Sequence, residues 1–322
     1  MVTSHAPDSR RARRQADAAR RIAARRWLGL SAAIAVAVVA AVVLLSIPRG
    51  PVAEGADAGA PLVERPPVAE TLPVPRIEAA PGVCESPDVQ AALAAGDDEA
   101  VVRAAGGGEA FRAAVAAGAA PCISLTDVNR QWVVVNKQHQ LDPVDAAPAS
   151  LGSPSATRSI RPVVIRPDAA AALDALVAAA QQAGAGEIGV LSSYRSFGIQ
   201  QQTYAQNVSA EGQAEADLSS ARPGHSEHQT GTTVDVIACG AGGCGGLDDF
   251  GGTAQAAWVA EHAWEFGFIL RYPDGATGIT GYKYEPWHLR YLGPELARAY
   301  HDGGWGTLEE FFGLPPAPDY AG

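Results

Sequence analysis

Trp27 to Ile47 is a run of 21 residues without a charged side chain, its polarity broken only by Gly29, Ser31 and Ser46. A helix of that length, rising ~1.5 Å per residue, is about 30 Å long, the thickness of a bilayer's hydrocarbon core. Eight arginines and two aspartates lie in residues 1–26, a net charge of +6, and Arg49 is the only cation soon after the run. The positive-inside rule then predicts a cytoplasmic basic tail over 1–26 and a single-pass transmembrane signal anchor over 27–47. Everything beyond about residue 48 is expected on the extracytoplasmic side of the cell membrane. A cleaved signal peptide is the competing reading, with Ala58-Gly59-Ala60 as a small-residue cleavage site. The run is, however, longer than the ~7–15 apolar residues of a signal core.

Charge narrows the range of partners. The chain carries 24 cationic and 35 anionic side chains, a net −11, and with +6 confined to the tail the remainder holds −17. Such a body repels phosphate backbones, so no nucleic-acid partner is expected. Four cysteines agree with an oxidising compartment: Cys84 and Cys122 flank an Ala-rich segment, while Cys239 and Cys244 lie five apart in a Gly-rich loop. An even count outside a membrane points to two local disulfides. A zinc knuckle is the alternative, but C-x4-C without a neighbouring His or a second tight pair matches it poorly.

Residues 48–82 are rich in Pro, Ala and Glu and read as a stiff, solvated linker. Residues 83–125 read as a small helical module, with Asp88 and Asp97 or Asp98 as caps and a third helix over Glu109 to Ala117. Gly106-Gly107-Gly108 has no preceding strand and no following Gly-Lys-Ser/Thr, so it marks a helix break and not a phosphate loop. From Gln131 onward the elements are mixed. Strands are expected at Trp132–Val135, Ile188–Leu191, Thr232–Ile237 and Tyr284–Tyr291, with Val163–Ile165 extended. Helices are expected from an Asp168 cap through Val177, over Gln200–Val208, over Thr253–Phe266 with Gly267 as terminator, and from Pro294. Their irregular order predicts an α+β domain with antiparallel neighbours.

Within that domain His228 stands seven residues before Asp235, and Glu285-Pro286-Trp287-His288 offers a second imidazole with a carboxylate three residues earlier. Two histidines and one carboxylate make a catalytic zinc set, because three protein ligands leave a fourth position for water. The uncoordinated carboxylate, Glu285, is then placed to take a proton from that water. Taken singly each residue has a plainer reading, a hydrogen-bonded structural His or a turn Asp.

Three motifs together, Ser226-x-His228-x-x-Gly231-x-x-x-Asp235, Ser193-Tyr194-Arg195-Ser196 and Glu285-Pro286-Trp287-His288-Leu289-Arg290-Tyr291, resemble those of the VanY-type D-alanyl-D-alanine carboxypeptidases. The resemblance spans roughly residues 130–302 and includes Val135-Asn136-Lys137 and Tyr272-Pro273. It implies a hedgehog-like zinc peptidase fold with a central antiparallel sheet, occupying 130–312. It further implies Zn2+ held by His228, Asp235 and His288, Glu285 as catalytic base, and Arg195 steadying the oxyanion. Gln200 and Ser226 match positions that hold the substrate's terminal region. The implied substrate is a peptidoglycan stem peptide or precursor. L,D-carboxypeptidases and endopeptidases of the same fold are the near alternatives, and a non-catalytic wall-binding module is the distant one. His225 reads as pocket wall, Trp287 as packing beneath the site, and Thr233 stands where the family has a small residue.

Overall fold

The computed structural model describes residues 82–321. Three short helices open this part: α1 (Pro87–Ala95), α2 (Asp98–Ala104) and α3 (Gly108–Ala116). The hydroxyl of Ser86, not Asp88, caps α1, with Pro87 at the first helical position where a missing N–H costs nothing. Asp97 caps α2 as expected, its carboxylate accepting from the Ala100 amide. Gly107 (φ 92°) breaks the chain before α3 in a conformation that L side chains rarely adopt.

The remainder is a six-stranded sheet with helices packed on it. In chain order come β1 (Arg158–Ser159), α4 (Pro167–Gln182), β2 (Glu187–Ser192), α5 (Phe197–Glu211), β3 (Thr233–Gly240) and β4 (Gly243–Cys244). Then follow α6 (Ala254–His262), β5 (Phe268–Leu270), β6 (His288–Tyr291), α7 (Pro294–Asp302) and α8 (Leu308–Phe311). The spatial order is β1-β2-β3-β6-β5, with β4 folded back on the end of β3. Every pairing is antiparallel except β1 with β2, which fits the α+β expectation. A register shift between Val190 and Ser192 bends the end of β2 beside Asp235. Such bulges re-aim side chains next to sites.

Leu173, Leu176 and Ala180 of α4 pack over Ile188, Val190, Val234, Val236 and Leu289 of the sheet. A second core joins the first three helices to the carboxyl-terminal ones: Val89, Val101 and Phe111 meet Trp132, Leu292, Leu296, Tyr300 and Phe311. The two expected disulfides are both formed, Cys84–Cys122 across the helical module and Cys239–Cys244 across the β3–β4 hairpin.

Three further local expectations differ from the structure. Trp132–Val135 is buried but forms no strand, because its backbone is spent elsewhere: Val134 N–H donates to Leu125 and the Val133 carbonyl accepts from Arg290. The last strand begins only at His288, since Pro286 has no amide to give a ladder and Glu285 N–H turns away to Tyr272. Asp168 lies within the first turn of α4, whose cap position is Arg166. A larger correction concerns the membrane. Among the described residues no helix is long and apolar enough to cross one. The longest, α4 and α5, have 16 and 15 residues. At ~1.5 Å per residue that is about 24 Å, short of the ~30 Å hydrocarbon core. The single-pass placement at the cell membrane, with an extracytoplasmic catalytic domain, is therefore withdrawn. The anchor expected at 27–47 and the linker up to residue 81 lie outside the described residues.

Asp174 of α4 pins the segment before β1. Its carboxylate accepts from the Ser155, Ala156 and Thr157 amides and from the Ser155 and Thr157 hydroxyls at 2.6–3.0 Å. Burial pushes this carboxyl up, but those hydrogen bonds outweigh it and bring it down to about 2. A folded value below the unfolded ~3.9 gives stability that is full above about pH 4 and lost as pH falls toward 2. Asp174→Asn is thus expected to lower Tm at pH 7, with the gap to wild type closing between about pH 4 and pH 2 in scanning calorimetry. A gap independent of pH over that range would refute this account.

Candidate metal centre

The register of two strands makes the centre. Asp235 of β3 lies directly opposite His288 of β6, and such cross-strand neighbours put their side chains on one face. His228 comes from the 3-10 turn Glu227–Thr230, which ends at Gly231 in a left-handed conformation (φ 68°) before β3 starts. A Cβ at Gly231 would also lie 2.9 Å from the tip of the Leu151 side chain, which would have to shift to admit it. The turn returns His228 to the face that carries Asp235.

His228 Nδ1 lies 2.8 Å from the Ser193 carbonyl, which can only accept, so Nε2 carries the free lone pair. That atom is 3.3 Å from Asp235 Oδ2. His288 turns the other way round: Nε2 is 3.4 Å from Glu227 Oε2, and Nδ1 is 3.5 Å from Asp235 Oδ1 and 3.2 Å from Glu285 Oε2. The donor atoms of His228, Asp235 and His288 all lie within 4.8 Å of one another. A tetrahedral zinc with ~2.0–2.1 Å bonds to nitrogen and oxygen needs donor separations of about 3.3 Å, and the two His–Asp distances of 3.3 and 3.5 Å are close to that. Asp235 Oδ1 is buried without a hydrogen-bond partner among the described residues, which also fits an oxygen that awaits a cation.

Electrostatics agree with the geometry. Burial pushes His288 down, yet its contacts with Glu227 and Glu285 and the Asp235 charge lift it to about 9. Burial pushes Asp235 up, and the two imidazoles with Arg195 bring it to about 2. Asp235 and Glu285 are the carboxylates that face the two imidazoles in the cleft, with Arg195 beside them, while Glu227 is already paired with Arg271 and Arg290. Glu285 behaves differently: burial raises its carboxyl, Asp235 adds to the rise, and His288 and Arg195 oppose it. A raised carboxyl is the kind of group that exchanges protons more readily than an ordinary surface carboxylate.

A cleft of about 460 Å³ opens over these groups, with Arg195, Ser226, Tyr272, Glu285 and Trp287 in its wall. Arg195 is held at its backbone, whose N–H donates to the His228 carbonyl at 3.2 Å, while its side-chain Nε is buried without a partner among the described residues. The structure thus brings His228, Asp235, His288, Glu285, Arg195 and Ser226 together. Gln200 stays apart: it is fully buried behind the wall and donates to the carbonyl of Ala221, which does line the cleft. Trp287 both packs on the sheet core and lines the cleft. Thr233 is buried away from the cleft, and His225 sits edge-on against Tyr320 at 5.0 Å. Sequence reasoning missed Glu227, Arg271, Arg290 and Glu309, a wholly buried ion cluster beneath His288. One signal was available: Arg290 follows His288 by two, and alternate residues of a strand share a face.

The family model described as VanY, D-alanyl-D-alanine carboxypeptidase, matches residues 163–294, a range that holds every residue of the centre. VanXYC of Enterococcus gallinarum, a bifunctional D-Ala-D-Ala dipeptidase and carboxypeptidase, is 31% identical over 188 residues, which cover 55% of this chain and 91% of that protein. The chain belongs to the VanY-type D-alanyl-D-alanine carboxypeptidase family. Two further proteins are similar to the chain. YodJ of Bacillus subtilis (strain 168) is 40% identical over 183 residues, covering 56% of this chain. The solved LdcB LD-carboxypeptidase has a TM-score of 0.52 and 39% identity over 56% of this chain and 85% of its own. The chain spans 66% of YodJ and 46% and 29% of two enterococcal D-alanyl-D-alanine carboxypeptidases.

Proposed function

We propose that this VanY-type chain is a zinc-dependent carboxypeptidase that hydrolyses the terminal D-Ala-D-Ala bond of peptidoglycan stem peptides or precursors. His228, Asp235 and His288 hold the ion, and the residues 130–312 form the catalytic domain, braced by the helical module 83–125. The observation that carries the reading is the position of Glu285. Its carboxylate lies in the cleft wall 3.2 Å from His288 Nδ1, yet outside the trio whose donors converge. A module that only bound the wall would have no use for a buried acid at that vertex.

An ion held by His228, Asp235 and His288 would supply Lewis-acid chemistry, lowering the pKa of a bound water toward about 7 and polarising a carbonyl. Glu285 takes the proton of the attacking water on its carboxylate and returns it to the amine nitrogen of the departing D-Ala. The Arg195 guanidinium donates to the carbonyl oxygen as negative charge develops on it, without itself titrating. Ser226 contacts the terminal region of the peptide, and Gln200 acts through Ala221 by holding the cleft wall in place. His228 is kept in the Nε2-ligating tautomer by the Ser193 carbonyl.

The likeness to LdcB favours a second reading, cleavage of the L,D bond of a tetrapeptide. Matched penta- and tetrapeptide precursors, incubated with chelator-stripped and zinc-restored protein, separate the two by mass spectrometry. Loss of one D-Ala from the pentapeptide, dependent on zinc, is the expected result. Cleavage confined to the tetrapeptide replaces it with the L,D reading, and no cleavage of any stem peptide rejects both.

A further inference from the structure

Glu227 is fully enclosed, and its two oxygens have different tasks. Oε1 accepts from Arg271 Nε at 2.8 Å and from Arg290 Nη1 at 2.9 Å. Arg271 is gripped in turn by Glu309 through two parallel bonds of 3.0 and 2.7 Å, and Arg290 donates to the Gln131 carbonyl at 3.1 Å. Buried ion clusters of this sort give little net stability over apolar packing, so stability is a weak reason for building one. What the cluster does accomplish is mechanical. With one oxygen locked by two guanidinium groups, the carboxylate cannot rotate, and Oε2 keeps a fixed line to His288 Nε2 at 3.4 Å.

A carboxylate at that place selects the tautomer that carries hydrogen on Nε2. The lone pair is then on Nδ1, the ring atom that faces Asp235 and Glu285. The same two arginines draw Glu227 away from becoming a ligand itself. We propose that Glu227 is a positioning residue that fixes the ring plane and tautomer of His288 for metal binding through Nδ1, with Arg271 and Arg290 as its lock. The proposal rests on the zinc reading above. It adds a role to a side chain that does not belong to the converging trio.

Zinc affinity of the wild-type protein, measured first by chelator competition, tests the zinc reading separately; a protein that binds no zinc removes both. Given binding, Glu227→Gln is expected to weaken zinc by about 10–100-fold, the usual effect of removing a partner behind a metal-bound histidine. Glu309→Gln, equally buried on the same Arg271 but without contact to His288, is expected to lower Tm and leave zinc affinity close to wild type. Wild-type affinity in Glu227→Gln, or an equal loss in Glu309→Gln, would overturn the proposal. Nitrogen-15 NMR of the zinc-loaded wild type decides the matter even if a variant fails to fold. Hydrogen on Nε2 of His288 supports the assignment, and hydrogen on Nδ1 overturns it.

Discussion

Replacing Glu285 with glutamine is expected to lower kcat by about 10²–10⁴-fold, the contribution of a positioned general acid and base. Zinc should stay bound, because the donors of His228, Asp235 and His288 converge without it. Glutamine matches the size of the side chain and can keep a polar contact with His288, while the backbone bond from residue 285 to the Tyr272 carbonyl is untouched. The loss should therefore reach kcat and kcat/KM alike, as for a group whose work is done in the transition state. Rates of D-Ala release with metal content on the same samples provide the check. Turnover near wild type would remove Glu285 from the proton path, and loss of metal with turnover would make it a ligand.

How much of this centre could be read in the sequence depended on how local each cause was. His228, Asp235, Glu285 and His288 sit in short motifs whose spacing follows from one turn and two strands, so the trio and its acidic neighbour were legible. Ser226 and Arg195 reached the cleft as the family resemblance implied. Gln200 did not, because helix α5 turns it inward to hold Ala221, and nothing in its own segment signals which way the helix rolls. The buried cluster was hidden for a related reason. Glu227, Arg271, Arg290 and Glu309 are far apart in the chain, and each alone reads as a solvated charge. Only the ion pairs Glu309–Arg271, Arg271–Glu227 and Glu227–Arg290 of the folded chain show that they neutralise one another. Trp132–Val135 was misread because a run of four apolar residues reports burial, not hydrogen-bond partners. The helical module was legible as helices, yet its shared core with α7 and α8 required long-range contacts that no local pattern records.

The second large effect is expected at Arg195. Burial pushes its guanidinium down while Asp235 and Glu285 pull the other way, and a guanidinium is charged at neutral pH. The side chain is half-buried in the cleft wall with Glu285, and its guanidinium is the donor available there. A preorganised donor of that kind, aimed at an oxygen that gains charge during reaction, is worth about 10²–10³ in kcat. Arg195→Ala should show a loss of that size with little change in KM, and its fold should survive because the bond to the His228 carbonyl comes from the backbone. Arg195→Lys should recover only part of the rate, since an ammonium restores charge but not the planar N–H of the guanidinium. The split between kcat and KM carries the decision. A raised KM at unchanged kcat would mean that Arg195 anchors the peptide's terminal carboxylate in the ground state, and the oxyanion role would pass to another donor in the cleft.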